Sequence, residues 1–359
     1  MCEGRGTHNV KVRLGDWGSE SVMRLSNATE RLVDWADAVQ RKYRVFGFPY
    51  AVVKKYGDDD GGRHAALITY YGFLSLFPLL LVGVSVLSRV LVDHPALRTQ
   101  LIDAIVPPEL RPTVDNAVTS MPSSGLPFAI GLIGALFAGT GVVFSAYETL
   151  NHLIGVPRRS RFGFVTRYLR VLTMLIVVMV GGLTSAVLTV ASATLSSVTG
   201  LQQLAAAVGT AVVVFIVLIL SVKLLVARSI TFRACWPGAA AGAAIVATVL
   251  ATGTKVLAVL VNKAGPVYGS FATVVGAFSL LYLVSEALLY CAEAAIVRRR
   301  KLWPRGLDLT RLTPADVTVT TGLAVEQERL PDERIVVHYA DDARAGVDAV
   351  RRIGEDDRP

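Results

Sequence analysis

The chain has few charged residues and few cysteines, and both shortages narrow the class of protein. Only 18% of its 359 residues are Asp, Glu, Lys or Arg, whereas 53% are hydrophobic, a balance outside that of soluble globular domains. Its 3 cysteines are too few and too scattered to form a disulfide scaffold, and their spacing matches no metal-binding pattern. The composition therefore excludes a soluble enzyme, a disordered chain and a disulfide-stapled domain.

Charged residues are absent from five long stretches. These stretches are residues 65–88, 128–147, 171–222, 234–254 and 264–285. Each reaches the roughly 20 residues that a helix needs to cross a hydrocarbon core. The third stretch is too long for one crossing, and its polar residues 196–203 predict a turn in the middle. The sequence therefore predicts an all-α, polytopic membrane protein.

Six membrane helices follow from these stretches. The predicted spans are about 65–92, 127–153, 168–196, 203–226, 235–261 and 266–297. The membrane domain, residues 64–303, separates an N-terminal segment, residues 1–63, from a tail, residues 304–359. The tail lacks the apolar mass for a core of its own, so we expect it to be largely disordered or loosely docked.

Lysine and arginine gather beside alternate ends of the predicted spans. In the short segments that flank the spans, nineteen lie at residues 41–63, 158–170, 223–233 and 298–305, whereas only five lie in the alternate loops. Short basic segments stay in the cytoplasm. The pattern predicts an inner-membrane protein with both termini inside the cell.

Several basic residues are candidates for binding anionic phospholipid at the cytoplasmic face. They are Arg158, Arg159, Arg161, Arg298, Arg299 and Arg300. Residues 22–46 form a predicted amphipathic helix, which would lie either on the inner leaflet or on the ends of the spans. The lipid bilayer is the expected partner, and no nucleic acid is expected to bind. The sequence is compatible with a homo-oligomer and does not identify a substrate.

Ionisable groups inside the spans are candidates for a transport pathway, because each costs about 2.5 to 3.5 kcal/mol near the membrane centre. Glu286 and Glu293 are two helical turns apart and form one polar stripe with Tyr282 and Tyr290. One hypothesis makes this stripe a proton or cation relay. The alternative is that Glu293 pairs with a following arginine, Arg298 or Arg299, at the inner interface.

Three further residues complete the candidate pathway. Pro78 should kink the first span, and Ser75 could satisfy a freed carbonyl. Such a kink can build a binding element, although ordinary kinks are commoner. Glu148 lies near the inner boundary, where we expect it to form a salt bridge with an arginine of the next loop.

The chain offers no obvious catalytic set. Its 5 histidines are dispersed, and no metal, cofactor or catalytic residue is predicted. The acidic run at residues 58–60 is expected to be a solvated turn into the first span.

Three segments carry a resemblance to a known family. They are Ala65–Pro78 (AALITYYGFLSLFP), Leu150–Arg159 (LNHLIGVPRR) and Tyr268–Thr273 (YGSFAT). Together they make residues 50–303 resemble the YihY/BrkB family of bacterial inner-membrane proteins, formerly called ribonuclease BN. The resemblance implies six helices, both termini inside, and an envelope protein often labelled a transporter or virulence factor.

Two hypotheses of function follow. The first is a transporter of a small solute or a lipid, with the polar stripe and the first span as its pathway. The second is a non-transporting scaffold that recruits partners through residues 1–60 and the tail. The ribonuclease label is disfavoured, because the sequence supplies neither a metal-binding carboxylate set nor an acid–base pair.

Overall fold

The computed structural model describes residues 34–90, 111, 115–116, 126–194, 200–268, 271–307 and 312–338. Within those ranges the chain is helical and contains no strand. The helices are α1 Arg44–Asp58, α2 Gly61–Val90, α3 Leu126–Leu153, α4 Phe164–Thr194, α5 Gly200–Leu225, α6 Phe232–Tyr268, α7 Phe271–Arg300 and α8 Pro314–Glu326. Six of them, α2 to α7, are long and apolar enough to cross a membrane. The prediction of an all-α fold with six membrane helices is confirmed.

The boundary between the last two membrane helices differs most from the prediction. The other four lie within four residues of the predicted spans at both ends. The fifth span was expected to end near residue 261, but α6 continues to Tyr268 and α7 begins only at Phe271. A lysine in the sequence need not end a helix near an interface, because long charged side chains can in general reach water.

The six long helices form a closed series of neighbours. In this series α3 contacts α2, α2 contacts α7, α7 contacts α6, α6 contacts α5, α5 contacts α4, and α4 returns to α3. Successive helices alternate in direction, so the start of α2, the end of α3 and the end of α7 lie together. We call this end of the bundle, with α1, α8 and the segments 154–163, 226–231, 301–307 and 312–338, the polar end.

Close packing inside the bundle depends on small residues. A Cβ added at Gly238 of α6 would lie 2.9 Å from the Ala295 Cβ and 3.1 Å from the Cys291 carbonyl oxygen of α7. Small residues let helices approach closely when lipid supplies no hydrophobic drive between them. Elsewhere apolar side chains such as Phe137 and Leu183 are exposed, as expected of surfaces that face lipid.

The tail is partly folded, which corrects the expectation of a largely disordered segment for residues 312–338. The α8 helix begins with a capping box, in which the Thr313 hydroxyl accepts from the Asp316 N–H and the Asp316 carboxylate accepts from the Thr313 N–H. Val319 packs against Ala51 and Val297. The tail needs no core of its own, because it shares one with α1 and α7. Residues 339–359 lie outside the described ranges.

The structure describes only part of the amphipathic helix predicted over residues 22–46. Residues 34–42 are helical, Tyr43 interrupts the helix, and α1 follows, so the predicted helix over 22–46 is not continuous. Residues 22–33 lie outside the description.

Candidate functional site

Three charged side chains are buried together at the polar end. Lys55 of α1 forms an ion pair with Asp59, and its Nζ lies 3.0 Å from Oε2 of Glu293 on α7. The exposed fractions are 3% for Lys55, 2% for Asp59 and 0% for Glu293. The ammonium also donates to the Leu153 carbonyl at the end of α3, over 3.1 Å. One lysine therefore joins α1, α3 and α7.

The Lys55 cluster, formed by these three side chains, holds two carboxyl groups against one ammonium. With all three ionised it would carry a buried negative charge, which is costly away from water. Among the described residues, neither carboxylate oxygen of Glu293 has a hydrogen-bond partner, although Oε2 lies within ion-pair distance of the Lys55 ammonium. The expected pairing of Glu293 with Arg298 or Arg299 is wrong: its carboxylate turns to Lys55, and both arginines are exposed.

The rest of the predicted stripe faces α1. The Tyr56 ring stacks on the Tyr290 ring with centroids 4.1 Å apart, and its hydroxyl donates to Glu286 over 3.4 Å. Tyr282 packs into the same cluster. Burial, and then the neighbouring Glu286 carboxylate, raise the pKa of Tyr56 above its usual value. Tyr56 therefore stays a hydrogen-bond donor at neutral pH.

A second set of charges joins the loop after α3 to the tail. Arg161 places Nη1 2.6 Å from Glu148 and Nη2 2.6 Å from Glu326. The expected salt bridge from Glu148 to an arginine of the next loop is confirmed. His152 lies 2.7 Å from Glu326 through Nδ1 and 3.2 Å from the Asp59 carbonyl through Nε2. His152 thus connects this set to the Lys55 cluster.

Two histidines that are far apart in the sequence meet here. The His64 and His152 rings have centroids 4.9 Å apart, and His64 Nδ1 lies 3.0 Å from the Thr149 hydroxyl. Both border a cavity of about 130 Å³ that we call the vestibule. It is lined by Arg63, His64, Glu148, His152, Arg158, Arg161, Glu326 and Gln327. In the described part of the chain, no group of three or more His, Cys, Asp or Glu side chains is arranged to hold a metal.

A third set of charges fixes the tail to α1. Arg305 lies 2.6 Å from Asp316 and 2.7 Å from Asp58, and Lys54 lies 3.0 Å from Asp316. Burial alone would raise the pKa of Asp316, but hydrogen bonds from Arg305, Thr313 and the Gly306 N–H outweigh it and hold the pKa below its usual value. This Arg305 cluster balances two cations with two carboxylates.

Ser75 and Pro78 lie away from these clusters. The Ser75 hydroxyl donates to the Gly72 carbonyl of its own helix over 2.7 Å. The α2 helix continues through Pro78 without a break, and Pro78 faces Gly134 of α3. In the structure both residues take part in helix packing.

Half of the predicted lipid-binding arginines have protein partners instead. Arg159 pairs with Glu328 over 2.6 Å, Arg161 bridges two glutamates, and Arg300 donates to the Ile154 carbonyl. Arg158, Arg298 and Arg299 are exposed. The tail supplies the carboxylates that occupy Arg159 and Arg161, so these two are not free for phospholipid.

Sequence reasoning missed several members of these clusters. Asp59 is buried, which corrects the expectation of a solvated acidic turn, and its spacing of four residues from Lys55 was a usable signal of pairing on a helix. The roles of His152, Glu326 and Arg305 depend on contacts between distant segments. No local pattern marks such contacts.

Six apolar spans, with buried charges gathered at one end, define a multi-pass integral membrane protein. The family model described as virulence factor BrkB matches residues 52–309, which is most of the chain. The protein therefore belongs to the virulence factor BrkB family, and the family resemblance found in the sequence is confirmed.

Two curated proteins are similar to parts of the chain. One is inner membrane protein YhjD of Escherichia coli strain K12, 29% identical over 141 residues, which are 37% of this chain and 41% of that protein. The other is an uncharacterized protein of Dickeya dadantii strain 3937, 33% identical over 105 residues, which are 27% of this chain and 31% of that protein. Each match thus spans less than half of the relative. No solved structure matches the chain.

Proposed function

We propose that the protein is an inner-membrane transporter of a small solute or a lipid, and that the Lys55 cluster is its proton- or cation-binding site. The surplus carboxyl group in this buried cluster is the observation that carries the proposal. An ionisable group buried among membrane helices is costly, and such groups mark ion pathways and proton relays. Taking up one proton or cation would remove the surplus charge, and releasing it would restore that charge.

The stripe on α7 supports a route that continues from this site. Glu286 lies two turns before Glu293 on the same face, and Tyr56 and Tyr290 lie between them. The tyrosine hydroxyls and Glu286 are polar groups between α1 and α7 that could pass a proton. A change in the charge of Glu293 would also alter its contact with Lys55, which joins α7 to α1.

We also propose that the polar end faces the cytoplasm. The described segments at this end carry the basic excess that the membrane orientation rule requires. The name of the Escherichia coli relative, an inner membrane protein, supports the choice of membrane. A single cysteine placed at Arg299 in a cysteine-free variant should resist an impermeant thiol reagent in intact cells and react after the inner membrane is opened. Labelling in intact cells would contradict this orientation.

The transport proposal is tested with purified protein in vesicles that enclose a pH-sensitive dye. A potassium diffusion potential should drive proton entry above that of protein-free vesicles, and Glu293→Gln should reduce the rate at least tenfold. Asp332→Asn, at an exposed carboxylate of the tail, is the matched control and should keep the wild-type rate. Vesicles that pass no protons, no alkali cations and no fluorescent phospholipid would overturn the proposal.

A non-transporting scaffold is the second candidate, favoured by exposed aromatic side chains just before α1 and in its first turn. Trp35 and Phe46 are 67% and 61% exposed and could bind a partner or the membrane surface. The Trp35→Ala, Phe46→Ala double variant separates the two functions. Under the transport proposal its flux is unchanged, whereas a scaffold would show no flux in any variant. Neither proposal includes ribonuclease activity.

A further inference from the structure

The vestibule is a polar cavity whose charges are not all used by the fold. Its floor is formed by Arg161, which contacts Glu148 and Glu326 through its two terminal nitrogens and the Val156 carbonyl through Nε. Glu326 is also held by His152. Both carboxylates that face the cavity therefore already have a cation, and Arg161 has few donors left for a ligand.

Two arginines at the rim remain available. Arg158 is exposed on the short 3₁₀ turn Arg158–Ser160. Among the described residues, Arg63 forms an ion pair with Asp60 over 2.9 Å, and both side chains are more than half exposed. Such a pair contributes little to stability and is readily exchanged. Counting three arginines against two glutamates, the lining carries a net formal charge of +1 even with both histidines neutral.

The size and the donors of the vestibule suit a small oxyanion. Its volume of about 130 Å³ exceeds the share of about 30 Å³ that one water takes in the liquid, so it can hold a tetrahedral anion with some of its water. Guanidinium groups bind phosphate and carboxylate oxygens through paired N–H donors. The Gln327 amide adds a donor on the tail side, and the His64 ring lines the cavity on the α2 side.

From this geometry we infer that the vestibule binds a phosphoryl group, with Arg158 and Arg63 as its principal ligands. The group belongs either to free phosphate or a small phosphorylated solute, or to a phospholipid headgroup at the membrane surface. The site is separate from the Lys55 cluster, and binding there does not require that the protein transports anything. If the flux assay fails, the inference about phosphate binding is unaffected. If phosphate does not bind, the transport proposal is unaffected.

The test measures binding of inorganic phosphate to the full chain in nanodiscs of neutral phosphatidylcholine, by calorimetry in chloride buffer of matched ionic strength. We expect saturable binding, weakened at least tenfold by Arg158→Gln and further by the Arg63→Gln, Arg158→Gln double variant. Arg299→Gln is the matched control, because Arg299 is also an exposed arginine of the polar end and is not among the residues that line the cavity. It should bind phosphate as the wild type does.

A second arm separates the two sources of the phosphoryl group. Nanodiscs containing phosphatidylglycerol should compete with phosphate if the headgroup enters the vestibule. In that case they should raise the melting temperature of the wild type and of Arg299→Gln, but not of Arg158→Gln. Phosphate binding without this competition assigns the site to a soluble ligand. If neither phosphate nor phosphatidylglycerol distinguishes Arg158→Gln from Arg299→Gln, the inference is wrong.

Discussion

The Arg305 cluster and the Lys55 cluster lie at the same end of the bundle, yet their charges are arranged differently. Around Arg305, two cations face two carboxylates, and the capping box of α8 adds further donors to Asp316. Around Lys55, one cation faces two carboxyl groups, and neither oxygen of Glu293 has a hydrogen-bond partner among the described residues. A charge-balanced cluster suits a permanent joint, even though Nη1 of Arg305 has no hydrogen-bond partner among the described residues. An unbalanced cluster can exchange a proton or a cation.

The largest expected effect comes from removing the cation of the unbalanced cluster. Lys55→Met leaves Asp59 and Glu293 buried without a partner, so the free energy of unfolding should fall by about 3 to 5 kcal/mol. Reversible unfolding in mixed detergent micelles measures the change. Glu293→Gln removes the surplus charge instead and should leave stability at or above that of the wild type. Equal losses in the two variants would show that charge imbalance does not distinguish this cluster.

Removing the central cation of the balanced cluster should cost less. In Arg305→Met, Lys54 still lies near Asp316, and the Asp58 side chain is 30% exposed, so solvent can replace one contact. We expect a loss of about 3 kcal/mol, together with faster proteolysis within residues 301–338 as α8 detaches. Arg299→Met, an exposed arginine at the end of α7, should change neither quantity. A loss as large as that of Lys55→Met would remove the difference between the clusters.

In the apolar part of the bundle, the free energy of unfolding should depend on side-chain volume rather than on charge. Gly238→Ala would press a methyl group against the backbone of α7, which should cost about 1 to 3 kcal/mol. Nothing lies within 4 Å of a Cβ at Gly182 of α4, so Gly182→Ala should be neutral or stabilise the helix by up to about 1 kcal/mol. The same micelle unfolding assay compares them. If both variants behave alike, α6 and α7 do not pack as closely as the structure shows.

The fold was largely predictable, because its signals are local. Charge-free stretches long enough to cross a bilayer predict the number and approximate positions of the six helices. The polar residues near Ser196 predict that the longest stretch forms two helices, α4 and α5. The pairing of Glu148 with a loop arginine was also predictable from its place at a helix end. Each of these inferences uses residues close together in the chain.

The site was predicted only in part, because its contacts join distant segments. The stripe on α7 was found from helical spacing, but its partners Lys55 and Tyr56 come from α1, more than two hundred residues earlier in the chain. The docked tail was missed because its apolar content was judged alone. Val319 contributes to a core whose other half belongs to α1 and α7, and Glu326 binds residues of the loop after α3.

The smallest expected effect is the acid sensitivity of the joint between α8 and α1. Because the pKa of Asp316 is held below its usual value in the folded protein, its stabilisation is complete above the unfolded pKa of about 3.9 and is lost as the pH falls toward the folded pKa. Between pH 6 and pH 3 this carboxyl should account for about 1 kcal/mol of lost stability.

Asp316→Asn should therefore be less stable at pH 6 but lose less on acidification, whereas Asp332→Asn should follow the wild-type curve. Proteolysis of the tail with an acid-active protease reports the same detachment locally. An Asp316→Asn protein with the full wild-type pH slope would place the acid-sensitive charge elsewhere and remove the argument that the balanced cluster is a permanent joint at neutral pH.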